Sequence, residues 1–462
     1  MSNNPGNYLG LPTMWGRSKK LALQYVLERI LKKIQGWKAK ALTMAGREVL
    51  IKAVAMAVPT YPMSCFKFPS TMCKAINAEI SRFWWGATDE GRKVHWKNWE
   101  GLCQAKSGGG MGFRDLEVFN QALLAKQCWR LWSNPHAFWA RLLKARYFPN
   151  ADFAHAQRGS RPSWIWSSLL EGRKIMLDGA RWQVGNGTKV DIWKDNWLPC
   201  DQVTKPSPTQ AIMGAVPTTV NGLIDREANV WNLDPIQQLV HPRDLSLIRA
   251  IPLCNTEEDD RLVWPWDIRG TLTVKSGYFW AIAKKNAMRL LPGNSSHQVD
   301  KGTWKVLWSL KVVPKIKNFM WRAISNALPT TLNLFKRKIT TRPLCSICGQ
   351  FEETPEHMLL LCPWVHCVWL GSPLNYRPNA QQISTLDVWL YGLSSSLLSD
   401  KATMMRVVGT VGILWWEIWK ERCSAVFENR NPIPEVVLRK CCSSLHEMCI
   451  GEADSSSMEL RN

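Results

Sequence analysis

The sequence predicts a mainly α-helical protein of several units, with small β hairpins and one small zinc knuckle. Three observations support this fold class. Long stretches place apolar residues three and four positions apart, which is the helical period. Two short stretches alternate apolar and polar residues beside glycine turns, which is typical of hairpins. One 18-residue stretch carries three cysteines and one histidine at a spacing typical of zinc ligands.

The composition favours a partner of negative charge and argues against secretion. The chain has 462 residues and a net charge of +22, which favours nucleic acid or another anionic surface. Its 14 cysteines show no even spacing and residues 1–12 contain no apolar signal segment, so we expect the nucleus or cytoplasm. The most apolar run, residues 407–419, is too short to span a bilayer and predicts a buried helix.

Helices are predicted for residues 18–57, 70–85 and 120–147, where apolar residues recur at helical spacing. The 27 tryptophans should lie mostly in cores, because an indole buries a large apolar area. The glycine-rich turn at residues 108–112 lacks the Lys-Ser/Thr of a phosphate loop, so it does not predict a nucleotide site.

The middle of the chain changes its period. Residues 181–193 and 263–274 are each predicted to form a hairpin, the first around a Gly-Asn-Gly turn. Residues 200–221 and 286–302 have the composition of linkers or surface loops. The only Asp-Asp pair is Asp259-Asp260, and it lies in a run of four acids that suggests a solvated turn rather than a metal site.

Four residues form a candidate zinc site with the pattern C-x2-C-x8-H-x4-C: Cys345, Cys348, His357 and Cys362. Three thiolates and one imidazole complete a tetrahedral shell and leave no position for water or substrate. We therefore expect a structural Zn²⁺ that stabilises the fold and takes no part in catalysis.

The local sequence supports this interpretation and leaves two alternatives. Thr354 is predicted to cap a helix whose first turn contains Pro355 and His357. His366 and Cys367 are possible substitute ligands, so Cys362 is the least firmly assigned of the four. The other alternative is a group of buried thiols with a core histidine.

A basic segment precedes the zinc pattern. Residues 301–342 contain ten lysines and arginines and no acid, and Pro314 fits the first turn of a helix. Such a segment can neutralise nucleic-acid phosphates, although an ordinary solvated helix face is the alternative. The predicted phosphate contacts are Lys315, Lys317, Arg322, Lys336, Arg337 and Lys338.

These motifs together resemble one family. Residues 308–339, followed by residues 345–362, resemble the zinc-binding domain of plant LINE-type (non-LTR) retrotransposon reverse transcriptases. Residues 82–86 and 108–131 resemble the region after the polymerase palm of those proteins, and residues 414–430 resemble the helix before their RNase H-like domain. Similar sequences are often labelled ribonuclease H proteins.

The resemblance implies four regions in the chain. Residues 1–150 would be a thumb-like region after a missing palm, and residues 151–298 a connecting region with hairpins. Residues 299–372 would be the zinc-binding domain, and residues 373–462 a helical region truncated before an RNase H-like domain. The family's catalytic carboxylates would lie outside these regions.

The expected function is therefore non-catalytic binding of RNA or single-stranded DNA, with no small-molecule substrate and no membrane association. Two alternatives remain. In the first alternative, the chain belongs to an active reverse transcriptase and RNase H whose catalytic domains are encoded in flanking sequence. In the second, it is a decayed element fragment without a selected function. The oligomeric state is not predicted.

Overall fold

The computed structural model describes residues 7–8, 11–12, 18–38, 40, 42–86, 93–201, 203–209, 216–253, 258–287, 299–397 and 400–459. Parts of the predicted loops at 200–221 and 286–302 lie outside the described residues. Helices dominate the described part of the chain and strands are short, which confirms the predicted fold class.

The helices are α1 (Lys19–Ala22), α2 (Gln24–Lys38), α3 (Met44–Leu50), α4 (Thr60–Cys65), α5 (Ser70–Trp84), α6 (Trp99–Cys103), α7 (Leu116–Ser133), α8 (Phe138–Tyr147), α9 (Trp164–Gly179), α10 (Pro242–Arg249), α11 (Val274–Ala287), α12 (Lys301–Ser309), α13 (Pro314–Ile324), α14 (Thr331–Lys336), α15 (Pro363–Gly371), α16 (Leu386–Ser396), α17 (Lys401–Phe427) and α18 (Pro434–Glu459). Wider π-helical turns occur at Ile51–Ala55 and His357–Leu361, and 3-10 turns at Lys106–Gly108, Val220–Leu223 and Asp234–Ile236. The strands are β1 (Asn7–Tyr8), β2 (Leu11–Pro12), β3 (Arg181–Gln183), β4 (Ile224–Asp225), β5 (Val230–Trp231) and β6 (Arg261–Val263).

The helices predicted from periodicity are present. The predicted stretch 18–57 contains α1 to α3, and Val26, Ile30 and Ile34 are buried at the predicted helical spacing. The stretches 70–85 and 120–147 correspond to α5 and to α7 with α8. In the described part of the chain, no helix combines the length and the apolar character that crossing a bilayer requires.

The chain divides into two compact units, each assembled from three segments. Unit 1 is Met1–Val26, Val58–Cys73 and Leu116–Asn294. Unit 2 is Leu27–Ala57, Lys74–Asp115 and Ser295–Asn462. The four regions implied by the resemblance remain a prediction, because their boundaries come from the likeness to a longer protein.

The core of unit 1 is built on α7 and α9, which approach closely at Gly172. A Cβ atom at Gly172 would lie 2.5 Å from the backbone carbon of Leu124, so only glycine fits. The buried indole of Trp166 stacks on Tyr147, with ring centroids 4.7 Å apart. The buried amide of Asn120 on α7 donates to the carbonyl of Met63 at 2.7 Å and so joins α7 to α4.

The two predicted hairpins are wrong in their pairing. Strand β3 pairs antiparallel with β6, with Arg181 opposite Val263 and Gln183 opposite Arg261. The first predicted hairpin therefore supplies β3, whereas the second contributes only Val263, the last residue of β6.

The acidic pair explains this pairing. The Asp260 carboxylate accepts hydrogen bonds from the backbone N–H groups of Gly185 (2.7 Å), Gly187 (2.8 Å) and Lys189 (2.8 Å). The glycine-rich loop therefore wraps around a carboxylate instead of reversing the strand. Exposed Asp259 is bound by the Lys189 amine at 2.6 Å. Both acids bind the loop, and Asp260 is buried, whereas the sequence predicted a solvated turn.

Unit 2 is centred on α17, whose residues 408–415 are all buried, as predicted for the apolar run. The glycine-rich turn at residues 108–112 has a structural role in this unit. The carbonyl of Gly109 accepts from the Lys97 amine at 2.7 Å and from the Trp321 indole at 3.0 Å. Gly109 has a φ of +77°, and a Cβ atom there would lie 2.9 Å from the Trp304 ring.

Candidate metal centre and nucleic-acid interface

Cys345 and Cys348 lie on a tight turn that is closed by two backbone hydrogen bonds. The Cys345 N–H donates to the carbonyl of Phe351 at 2.8 Å, and the Gly349 N–H donates to the carbonyl of Cys345 at 2.9 Å. Gly349 has a φ of +67°, which residues with a Cβ atom rarely adopt. The turn therefore presents both sulfurs to one point.

His357 and Cys362 bracket a single wide helical turn. The Thr354 hydroxyl accepts from the His357 N–H at 3.0 Å, which is the predicted N-cap. The Cys362 N–H then donates to the carbonyl of His357 at 2.7 Å, and α15 begins directly after Cys362. A normal α-helix would rotate these two side chains apart, whereas the wider turn brings both to the same side.

The four predicted ligands converge. Their ligand atoms all lie within 4.8 Å of one another. The Sγ atoms of Cys345 and Cys362 are 4.0 Å apart, and Cys348 Sγ is 3.4 Å from His357 Nε2. A tetrahedral Zn²⁺ with bonds of about 2.3 Å holds sulfurs about 3.8 Å apart, so the spacing fits this ion. The substitutes His366 and Cys367 are not members of the cluster.

The thiols of this cluster are poised to lose protons to a metal. The hydrogen bond from Cys362 lowers the pKa of the Cys345 thiol, and the same bond raises the pKa of Cys362. A coordinated thiol is deprotonated outright, so zinc binding would release thiol protons. Cys345, His357 and Cys362 are buried, and Cys348 is half-buried.

Sequence reasoning missed Glu353, the residue that joins the zinc knuckle to α14 and α17 of the same unit. Its carboxylate is fully buried and receives two hydrogen bonds from the Arg422 guanidinium, at 2.8 and 2.6 Å. The backbone N–H and the hydroxyl of Thr331 donate to the same carboxylate at 2.6 and 2.5 Å. Burial lowers the pKa of Arg422, but the bonds to Glu353 outweigh it and raise the value. Nothing local predicts this pair, since its partners are 69 residues apart.

The predicted phosphate contacts divide into two groups. Lys315, Lys336, Arg337 and Lys338 are exposed, and the last three follow one another at the end of α14. The other two are partly buried and hold backbone carbonyls of unit 2. The residues of this second group are Lys317, whose amine donates to Trp308 at 3.2 Å, and Arg322, whose Nε donates to Ala327 at 3.2 Å.

Burial lowers the pKa of Arg322 to about 10, which reflects the loss of water around its guanidinium. Lys317 and Arg322 are therefore weaker candidates for phosphate contacts than the four exposed cations.

An aromatic residue lies beside the exposed cations. The Arg337 guanidinium is 5.0 Å from the centroid of the Trp96 ring, and it donates to the Trp96 carbonyl at 3.5 Å. Arginine over an indole is a favourable cation–π arrangement. The sequence contains too many tryptophans for Trp96 to be singled out by composition.

A closed set of three cysteines and one histidine in a helical protein defines a protein with a structural zinc site. The family described as zinc-binding in reverse transcriptase matches residues 273–369. This match and the converged ligands confirm the predicted zinc. The matched region begins before residue 299, where the sequence placed the start of the zinc-binding domain.

Two relatives come from Arabidopsis thaliana. The "Putative ribonuclease H protein" is 26% identical over 426 residues, which cover 90% of this chain and 66% of the relative. An "Uncharacterized mitochondrial protein" is 42% identical over 144 residues, which cover 31% of this chain and 94% of the relative. The chain therefore spans just under two thirds of the first relative. It belongs to the family of retrotransposon-derived plant proteins that include the reverse transcriptase zinc-binding domain.

Proposed function

We propose that this chain is a nucleic-acid-binding part of a LINE-type (non-LTR) reverse transcriptase, and that it binds RNA or single-stranded DNA without sequence preference. The observation that carries the proposal is the exposure of Lys315, Lys336, Arg337 and Lys338 in an acid-free stretch of the zinc-binding region. Each phosphate that they neutralise releases counterions, which favours binding to any sequence.

The zinc knuckle would support this surface by holding α14 in place. Thr331 begins α14 and is bound by Glu353 of the knuckle, while Lys336 ends the same helix. Trp96 beside Arg337 would add a face on which bases can stack, as in other binders of single strands.

We further propose that the chain has no catalytic activity of its own and acts in the nucleus or cytoplasm without a small-molecule substrate. The closed ligand set leaves no coordination position for a reacting group. Asp260 is saturated by backbone N–H groups, which supports a structural role for the acidic pair.

The test measures binding at a series of salt concentrations. Fluorescence anisotropy of labelled single-stranded RNA, single-stranded DNA and duplex DNA gives the affinity at each concentration. The triple variant Lys336→Gln, Arg337→Gln and Lys338→Gln should reduce the slope of log affinity against log salt by about 2, at about 0.7 per phosphate for single strands. The matched control removes three other exposed cations of unit 2 by Lys74→Gln, Arg439→Gln and Lys440→Gln, and should retain most of the slope. Binding that is insensitive to salt, or no binding at low salt, would refute the proposal.

A second candidate function is membership of an active reverse transcriptase and RNase H polypeptide. The name of the first relative favours it, because that protein is named for ribonuclease H. Extending the genomic reading frame in both directions tests this candidate. An aromatic-Ala-Asp-Asp strand upstream and a set of RNase H carboxylates downstream would support it.

A further inference from the structure

A cavity of about 370 Å³ lies in unit 1, apart from the zinc-binding region. It is bordered by the first turns of α9, by the segment that leads into α5, and by α1. The residues that give it chemical character are Lys19, Lys67, Arg158, Trp164, Ser167 and Glu171. Its volume falls within the range of about 300–1,000 Å³ that is usual for sites of small ligands.

The wall of this cavity has an unbalanced charge. Three cations line it, whereas its single acid, Glu171, is already bound by Lys174, whose amine lies 3.1 Å from both carboxylate oxygens. The described ion pairs include none of Lys19, Lys67 and Arg158, although Glu171 and Glu117 favour the charged form of the Lys67 amine. Lys19 and Arg158 are exposed and Lys67 is half-buried, so an anion that joins the three cations would offset their like charges.

Lys67 is the central residue of this wall because its side chain is half-buried and its backbone is fixed. The Lys67 N–H donates to the Ser168 hydroxyl at 2.8 Å, and the next N–H, of Phe68, donates to the buried Asn120 side chain at 2.8 Å. Burial lowers the pKa of the Lys67 amine, so the charged form gains from a bound anion. The backbone that carries the Lys67 side chain is therefore fixed before any ligand arrives.

We propose that this cavity binds a phosphate group of a nucleotide or of a nucleic-acid backbone. Three cations suit an anion with several oxygens and more than one charge better than a carboxylate. The Arg158 fork can bind two phosphate oxygens at once, while lysines act as point charges. Trp164 lines the same cavity, with the Lys19 amine 5.6 Å from its ring centroid, and offers an apolar wall for a sugar or base. The site lies outside the α13 and α14 surface, so it does not depend on the proposed function.

The experiment is isothermal titration calorimetry of the full zinc-loaded chain at low salt, with three probes: pyrophosphate, a nucleoside monophosphate and a short single-stranded oligonucleotide. Lys67→Gln and Arg158→Gln should each weaken binding by about tenfold or more, because each removes a charge-assisted contact. Arg249→Gln removes a charge of unit 1 that is exposed like Arg158 but lies outside the cavity, and should leave affinity unchanged.

The probes distinguish the source of the phosphate. Loss of affinity for pyrophosphate or the mononucleotide assigns the site to a free phosphorylated ligand, and loss for the oligonucleotide alone assigns it to the backbone. The proposal would be overturned if, for each of the three probes, Lys67→Gln and Arg158→Gln bound as tightly as Arg249→Gln. It would also be overturned if the unaltered chain bound none of the probes. As a check that needs no substitution, pyrophosphate should protect the Lys67 amine from acylation, measured by peptide mass spectrometry. Unprotected labelling of Lys67 at saturating pyrophosphate would also overturn it.

Discussion

The Glu353 carboxylate and the Arg422 guanidinium form a bidentate ion pair in the interior of unit 2, with N–O distances of 2.8 and 2.6 Å. Removing both charges from water is costly, and attraction compensates only when every remaining hydrogen-bonding position is filled. Thr331 adds two donors to the carboxylate, both to its Oε2 atom. The pair therefore fixes the zinc knuckle between α14 and α17.

Replacing one residue of this ion pair should lower the free energy of unfolding more than replacing both. Arg422→Met leaves a buried carboxylate without its charge partner and should lower the free energy of unfolding by about 3–5 kcal/mol. The double variant Glu353→Leu with Arg422→Met should lose less than this single variant. Urea unfolding followed by tryptophan fluorescence measures both. Lys174→Gln breaks an exposed pair and should cost less than about 1 kcal/mol, so equal losses in Arg422→Met and Lys174→Gln would contradict the prediction.

Native mass spectrometry should find one Zn²⁺ per chain. Cys345→Ser should lose the added mass of the bound zinc, whereas Cys367→Ser should retain it, because Cys367 is exposed and outside the cluster. Acid should release the metal, since protons compete for the thiolates and the imidazole. The stability that zinc contributes is therefore present at neutral pH and lost as the pH falls. Retention of zinc by Cys345→Ser would point to a different ligand set.

Asp260→Asn should destabilise unit 1 by about 1–3 kcal/mol. The three backbone donors use both carboxylate oxygens, whereas an asparagine amide has only one accepting oxygen. Asp259→Asn is the matched control, since exposed Asp259 is bound by an exposed lysine. It should change the stability by less than about 1 kcal/mol. Thermal unfolding by circular dichroism compares the two variants, and a larger loss in Asp259→Asn would be inconsistent with the loop structure.

Gly109→Ala should lower the stability of unit 2 by at least about 1–2 kcal/mol, because a Cβ atom is strained at positive φ and here also meets the Trp304 ring. Gly108→Ala is one residue away, and no atom lies within 4 Å of its added Cβ. That control should stay within about 0.5 kcal/mol of the unaltered chain. Chemical denaturation measures the difference, and equal effects at both positions would argue against the described turn.

The sequence predicted features that depend on neighbours in the chain. The zinc ligands span 18 residues, and short spacing alone brought them within reach of one ion. The sequence did not predict contacts between residues that are distant in the chain, such as the bond from the Gly185 N–H to the Asp260 carboxylate, 75 residues away. Arg322 shows the same limit. Periodicity places Arg322 largely outside the apolar face of α13, yet it cannot reveal that Met44, 278 residues earlier, approaches its guanidinium.

The bond from the Trp321 indole to the Gly109 carbonyl joins residues 212 positions apart. At about 5–20 residues per second, the ribosome needs about 10–40 s to make the intervening chain, so the Gly109 carbonyl can bind Lys97 well before the Trp321 indole exists. The same separation limits recombinant work on the zinc-binding region. A fragment that starts at Ser295 would omit Lys97 and Gly109, leave the Trp321 indole without its acceptor, and expose an apolar surface that promotes aggregation.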